Sequence, residues 1–131
     1  MKLVNRKFHS YVLNQRFGNN YLPARYQYIL LRDYYSKINQ NFILPQGEPV
    51  FSNTKIRLRT IINNLKKNDG LVFLSAYMLP ENKKLRQQII NSLIKKNIEV
   101  HFIFENFKCK NKKDYHKVED LFKLNKFSNA N

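Results

Sequence analysis

The side chains of this sequence that could bind or transform a ligand come directly after stretches of residues typical of β-strands. Glu105 follows one such stretch and is the carboxylate best placed for general acid or base chemistry. Arg16 follows another, where its guanidinium could hold a phosphate or carboxylate through two parallel hydrogen bonds. The residues predicted to bind a ligand are Asn14, Gln15, Arg16, Ser75, Tyr77 and Asn106. Together they predict a site for an anionic ligand.

Each candidate also has a structural interpretation, and the sequence leaves both open. Arg16 could be an exposed loop arginine, and Tyr77 is one of eight tyrosines. His101 is a candidate catalytic base, but its apolar neighbours also favour a histidine that is hydrogen-bonded in the core. His9 could lie near His101, yet two histidines without a third ligand do not make a metal site. We therefore predict Glu105 and His101 as catalytic residues and no metal site.

Motifs that would indicate a cofactor are missing from the sequence. It contains no GxGxxG, Walker or HExxH pattern. Cys109 is the single cysteine, so neither an internal disulfide nor a cysteine-based zinc site can form within one chain. The prediction is that no cofactor is bound.

The chain is strongly basic, with 24 Lys and Arg against 9 Asp and Glu and a formal net charge of +15. This excess favours polyanionic partners, such as nucleic acids, anionic membranes or phosphorylated metabolites. Alternatively, the lysines reflect an AT-rich gene and simply coat the surface. Lysine pairs at 66–67 and 95–96 end two predicted helices, where they are expected to complement the helix dipole. The candidate nucleic-acid contacts are Lys108, Lys110, Lys112 and Lys113.

Apolar patterns predict four strands that alternate with helices. The organising stretch is 69–81, because its uninterrupted apolar run is typical of a buried central strand in a parallel sheet. The predicted strands are 8–13, 41–44, 71–74 and 98–104. The predicted helices are 23–37, a second from a cap at Ser52 or Asn53 to residue 67, 83–96 and 115–124. We expect one α/β domain over 1–107, followed by a basic linker and a short helix or tail over 108–131.

This order predicts an open three-layer α/β fold with a parallel sheet of about four strands, flavodoxin-like or resolvase-like, in the order 2-1-3-4. Ligands of such sheets bind at the carboxyl ends of the strands, where the strand order reverses. Gln46 and Glu48 would follow the second strand at that edge. No apolar run approaches the roughly 20 residues that span a bilayer, and the N-terminus lacks the apolar core of a secretion signal. A cytoplasmic protein is therefore expected.

Four segments resemble the sporadic carbohydrate cluster protein family, small bacterial proteins encoded among surface-polysaccharide genes. They are FHSYVLNQRF (8–17) with Leu22 and Pro23, ILLRDYY (29–35), DGLVFLSAYMLPEN (69–82) and VHFIFEN (100–106). The matching positions are Arg16, Arg32, Asp33, Asp69, Gly70, Leu79, Pro80, Glu81, His101 and Glu105. The sequence departs from the family at Leu13, Asn14, Gln15 and Asn106. The resemblance implies a role in surface-carbohydrate biosynthesis, binding or modifying an anionic activated sugar such as a sugar nucleotide or sugar phosphate.

The order of elements also resembles the catalytic domain of serine recombinases. Gln15 stands near the position of the nucleophilic serine, and Leu79-Pro80-Glu81 replaces the basic motif that would neutralise a phosphate. The second hypothesis is therefore a nucleic-acid-binding module with a catalytically inactive resolvase-like fold. A third is a scaffold that forms homo-oligomers through its terminal helix.

Overall fold

The computed structural model of the chain describes residues 6–13, 16–17, 21–43 and 56–129, with side chains up to residue 124. Within these residues the chain forms an α/β fold of four strands, four α-helices and one turn of 3₁₀ helix. In chain order the elements are β1 (Phe8–Ser10), α1 (Ala24–Lys37), α2 (Ile56–Asn64), β2 (Gly70–Phe73), the 3₁₀ turn (Ala76–Met78), α3 (Lys83–Lys95), β3 (Glu99–Phe102), β4 (Phe107–Cys109) and α4 (His116–Asn129).

Helices α1 and α3 begin and end at residues that commonly start or stop a helix. α1 starts after Pro23, whose fixed φ suits the first turn of a helix. At the start of α3, the Asn82 side chain accepts a hydrogen bond of 2.9 Å from the Leu85 amide. Asn39 and Asn97 follow the two helices with φ of 56° and 55°, a left-handed conformation that asparagine tolerates. Both predicted helices are thereby confirmed to within a residue or two.

The sheet is mixed, and its strands lie in the order β1-β2-β3-β4. β1, β2 and β3 are parallel, whereas β4 runs antiparallel to β3. The predicted order 2-1-3-4 and the all-parallel sheet are therefore wrong. Residues 41–43, part of a predicted strand, have no regular structure, and Leu44 lies outside the described residues. β1 pairs directly with β2, so the strand order does not reverse between these two strands. The topology therefore does not mark the ligand site that was expected at such a reversal.

A strand, β4, occupies the position where the basic linker was expected to begin. The Asn106 amide donates a hydrogen bond of 3.2 Å to the Ile103 carbonyl, and Asn106 has a φ of 58°. This tight turn returns the chain alongside β3. Exposed Lys108 then stands between partly buried Phe107 and fully buried Cys109, the alternation of a strand with one buried face. The sheet therefore extends past the predicted boundary at residue 107.

One face of the sheet packs against α1 through polar contacts. Ser10, Val72 and His101 lie in one row across the three parallel strands. The Tyr35 hydroxyl lies 2.5 Å from Ser10 Oγ, and the Tyr34 hydroxyl lies 2.5 Å from His101 Nδ1. Because buried polar groups are costly without partners, these contacts fix how α1 sits on the sheet.

On β2 and β3, the opposite face of the sheet is apolar and almost completely buried. On this face Leu71 pairs with Val100 and Phe73 pairs with Phe102, and all four side chains are at most 1% exposed. The Phe73 and Phe102 rings stack with centroids 5.5 Å apart. Burying side chains of this size contributes roughly 1.5–3 kcal/mol each, so this face is the centre of the core. In the described part of the chain, no helix has the length and apolar character needed to cross a membrane.

Replacing Gly70 with alanine should destabilise the fold by about 1–3 kcal/mol. Phe8 is the partner of Gly70 in the β1–β2 register, and a Cβ at this glycine would overlap the Phe8 ring. Urea unfolding followed by circular dichroism would measure the loss. The cost of the alanine should be smaller in a Phe8→Leu background, and equal costs in both backgrounds would contradict the explanation.

Candidate functional site

Glu105, the predicted catalytic carboxylate, is bound by the protein's own donors. Its Oε2 accepts a hydrogen bond of 2.8 Å from Ser75 Oγ, and its Oε1 accepts one of 2.7 Å from the Ala76 amide. Ser75 Oγ in turn accepts a hydrogen bond of 3.2 Å from the Tyr77 amide. The carboxylate thus caps the 3₁₀ turn, and this edge of the sheet is held by a local network of hydrogen bonds.

Of the other predicted ligand residues that the structure describes, Tyr77 is held against α4 and two are exposed. The Tyr77 hydroxyl donates a hydrogen bond of 3.0 Å to the Leu121 carbonyl, and its ring meets Phe122 edge to face at 5.4 Å. Burial, together with the Glu105 charge, raises the pKa of Tyr77. Arg16 and Asn106 are exposed. The remaining candidates at this edge lie outside the described residues: Asn14, Gln15, Gln46 and Glu48.

His101, the other predicted catalytic residue, is buried between the sheet and α1. Its Nε2 lies 3.5 Å from Glu99 Oε1, its Nδ1 contacts the Tyr34 hydroxyl, and its ring packs against Phe8. Burial lowers the pKa of His101, and the nearby Glu99 carboxylate only partly opposes this. A neutral imidazole with these neighbours stabilises the packing of α1.

The two strand histidines lie on opposite faces of the sheet. His9 shares a row with Leu71 and not with His101, since side chains alternate along a strand. His9 Nε2 lies 3.3 Å from Asp69 Oδ2 instead. Among the residues that the structure describes, no three His, Cys, Asp or Glu side chains are grouped so that they could hold a metal ion.

A groove of about 380 Å³ lies between α3 and α4, and we call it the α3–α4 groove. α3 contributes Lys83, Gln87 and Asn91, which follow one another every four residues along one helix face. The opposite wall includes Lys112, just before α4, and His116, Asp120 and Lys123 from α4 itself. Three lysines and several neutral or acidic side chains therefore line a single concave surface.

Arg86 and Glu119 fix the two walls of the groove relative to each other. Arg86 Nε donates to Glu119 Oε2 at 2.6 Å, and Nη2 donates to Oε1 at 2.9 Å. Arg86 Nη1 also donates to the Pro80 and Glu81 carbonyls, each at 2.9 Å. The guanidinium stands 4.0 Å from the centroid of the Phe122 ring. The hydrogen bonds from Arg86 hold the pKa of Glu119 below its usual range.

α3 and α4 run antiparallel along the groove. α3 begins shortly after the 3₁₀ turn, and Tyr77 of that turn contacts Leu121, in the second turn of α4. The first turns of α3 therefore lie beside Lys123, well inside α4, whereas Asn91 lies towards the start of α4. Lys83 and Lys123 mark one end of the groove, and Lys112 marks the other.

Tyr115 lines the Lys112 end of the groove and is 3% exposed. Its hydroxyl has no hydrogen-bond partner among the described residues. Burial raises the pKa of Tyr115 well above its usual value, so the hydroxyl keeps its proton and can donate. Burial likewise raises the pKa of the neighbouring Cys109 thiol to about 12, which leaves it unreactive as a nucleophile.

The predicted basic linker forms a fixed turn. Asp114 Oδ2 accepts a hydrogen bond of 2.9 Å from the Lys110 amide, and the Asp114 amide donates one of 3.0 Å to Asn111 Oδ1. All four lysines of the predicted nucleic-acid contact are exposed: Lys108, Lys110, Lys112 and Lys113. Only Lys112 among them lines the groove.

The other polar residues of the groove are not among those predicted from the sequence. A signal existed, since Lys83, Gln87 and Asn91 repeat every four residues on α3, and His116, Asp120 and Lys123 follow at intervals of four and three residues on α4. Polar residues at that spacing also mark any exposed helix face. The polar faces of α3 and α4 form a single groove only because Arg86 holds the two helices together.

No family model, curated protein or solved structure matches this chain. The family resemblance of the sequence thus stays a prediction.

Replacing Glu119 with glutamine should destabilise the protein by about 3 kcal/mol at neutral pH, because the buried Arg86 charge loses its carboxylate. The pKa of Glu119 is lowered in the folded protein. The stabilisation by the Arg86–Glu119 pair is therefore fully present above about pH 4.3, the pKa of glutamate in an unfolded chain. It is lost as the pH falls through the lower pKa that Glu119 has in the folded protein.

Urea unfolding of both proteins across this pH range would test the prediction, and their stability difference should close on acidification. Asp120→Asn, at the next position, is the matched control and should change stability by less than about 0.5 kcal/mol. Equal losses from the two substitutions would contradict a specific role for the Arg86–Glu119 pair.

Proposed function

We propose that this protein binds an anionic activated sugar, a sugar phosphate or sugar nucleotide, in the α3–α4 groove. The observation that carries the proposal is the groove itself, where Lys83, Lys112 and Lys123 surround uncharged and acidic hydrogen-bonding side chains. The role extends to surface-carbohydrate biosynthesis in bacteria through the resemblance of four sequence segments to the sporadic carbohydrate cluster family.

The side chains that line the groove suit both the phosphate and the sugar of such a ligand. Lysine ammonium groups bind phosphate as point charges. Gln87 and Asn91 each offer an amide donor and acceptor, and a carboxylate such as Asp120 accepts hydrogen bonds from sugar hydroxyls. A cavity of about 380 Å³ lies within the usual size range of small-molecule sites.

The proposal concerns binding and assigns no bond-breaking step. Glu105 and His101, the predicted catalytic pair, are hydrogen-bonded elsewhere in the fold and do not line the groove. Their catalytic role remains a prediction of the sequence.

Isothermal titration of the full chain with glucose 1-phosphate, near physiological salt, tests the proposal. Lys83→Gln should weaken binding about tenfold or more, because it removes a cation from the groove. Lys84→Gln is the matched control, since the neighbouring lysine is exposed and does not line the groove. Equal weakening by both substitutions, or no binding of any sugar phosphate, would overturn the proposal.

Nucleic-acid binding is the second candidate function, favoured by the fixed turn that displays Lys110, Lys112 and Lys113 on a chain of net charge +15. Phosphate contacts of this kind would give an affinity that falls steeply with salt.

Lys113→Gln separates the two functions, because Lys113 belongs to the turn and does not line the groove. If the turn binds duplex DNA, this substitution should lower the salt slope of binding by about one unit, as measured by fluorescence anisotropy. It should leave glucose 1-phosphate binding unchanged. An unaltered salt slope would contradict a nucleic-acid role for the turn.

A further inference from the structure

The outer face of α1 exposes two large apolar side chains to solvent. Ile29 is 60% exposed and Tyr26 is 45% exposed. The inner face of the same helix buries Gln27, Leu31 and Tyr35. Burial of apolar surface is the main favourable contribution to protein association. Because none of the residues that line the α3–α4 groove belongs to α1, a partner could cover this outer face and leave the groove open.

The other side chains of the outer face are placed symmetrically about Ile29. Arg25 lies four residues before Ile29 and Asp33 four residues after it, so the two stand about 40° to either side of it around the helix axis. Tyr26 and Arg32 lie three residues before and after Ile29, about 60° to either side. All five side chains are exposed. An arginine and an aspartate thus flank the apolar centre of this face at equal distances.

A second copy of this face is its complement. When two such helices pack antiparallel with Ile29 against Ile29, each residue lies level with the residue of the other copy that is equally far beyond Ile29. Arg25 of each copy then faces Asp33 of the other. Tyr26 likewise faces Arg32, whose guanidinium is attracted to an aromatic ring. The two-fold symmetry makes each of these contacts twice.

The charged residues of the outer face can make these contacts at little cost. Asp33 Oδ2 lies 3.0 Å from Lys37 Nζ, but both side chains are largely exposed, and a surface pair of this kind contributes little to stability. The Arg25 guanidinium stands 5.0 Å from the centroid of the Tyr26 ring. This contact keeps the guanidinium beside the apolar centre of the face.

The net charge of the chain makes such an association depend on salt in a characteristic way. Two chains of net charge +15 repel each other at long range. Charges are screened beyond about 8 Å at physiological ionic strength, but only beyond roughly 30 Å at about 10 mM salt. Contacts between paired side chains are shorter than either distance. A dimer of this kind should therefore strengthen as salt is added, whereas binding of a basic protein to nucleic acid weakens.

From these observations we infer that this protein forms a two-fold symmetric dimer through the outer face of α1, with Ile29 at its centre and Arg25 paired with Asp33 across the interface. The terminal helix α4, from which the sequence predicted oligomers, instead packs Leu121 and Phe122 against its own core. One pair of 14-residue helices makes an interface below roughly 1,200 Å², the size of weak and transient associations. We therefore expect a dissociation constant on the order of 100 µM.

Sedimentation equilibrium of the full chain in physiological salt tests the inference, at concentrations from about tenfold below to about tenfold above that dissociation constant. The average mass should rise from that of one chain towards that of two. Arg25→Asp and, separately, Asp33→Arg should each weaken the dimer at least tenfold, because like charges then meet twice across the interface. Lys84→Asp, the same change of charge as the first substitution on an exposed residue of α3, is the matched control and should leave the dimer unchanged.

A mixture of the two charge variants tests the pairing itself. One variant presents two carboxylates at the paired positions and the other presents two guanidiniums, so each meets opposite charges only in a mixed dimer. An equimolar mixture should therefore recover the association that each variant alone has lost. Both substituted residues are exposed, and circular dichroism would check that both variants keep the fold.

The contrary outcomes are equally definite. A chain that stays monomeric over the whole range, or a dimer that both charge variants leave intact, would overturn the inference. A mixture no more associated than its two components would do the same. Association that fades as salt is raised and disappears after nuclease treatment would show that nucleic acid, and not α1, joins the chains. Oligomers that grow beyond two chains would contradict a closed two-fold pair.

Discussion

The buried guanidinium of Arg86 sets the position of α4 and, through it, the shape of the groove. Its side chain is 5% exposed, and because arginine keeps its charge in any environment, it requires partners wherever it is buried. Glu119 supplies two charge-assisted hydrogen bonds, and the carbonyls of residues 80 and 81 supply two more. One buried cation thus ties the start of α3, the loop before it and the first turn of α4 into a single unit.

The docking of α4 also covers part of the carboxyl edge of the sheet. In an open parallel sheet this edge is the usual ligand site, but here Tyr77 lies under Leu121 and Phe122 of α4. Glu105 holds the 3₁₀ turn that presents Tyr77. Ser75, Tyr77 and Glu105 are therefore engaged in tertiary contacts at this edge, whereas the α3–α4 groove lies between two helices.

Sequence reasoning succeeded where the determinants were local. Pro23 and Asn82 mark the beginnings of α1 and α3, and residues 71–73 of the predicted run 71–74 lie in the buried strand β2. It failed where the determinants were distant in sequence. The strand order depends on β1 pairing with β2 across about sixty residues, and β4 is only three residues long, with a lysine in the middle. The groove was missed for the same reason, since it exists only once α3 and α4 are paired.

The basic residues include lysines with structural tasks, lysines that line the groove and exposed lysines with neither role. Lys96 Nζ donates to the carbonyls of residues 62, 63 and 65 at 2.7, 3.2 and 2.9 Å. It thereby satisfies the last carbonyls of α2, a more specific role than the predicted complement to the dipole of its own helix. Lys83, Lys112 and Lys123 instead surround a cavity. A formal charge of +15 alone cannot distinguish these groups. Their positions can, because Lys96 is bound to backbone carbonyls, whereas Lys83, Lys112 and Lys123 border a concave surface that can accept a ligand.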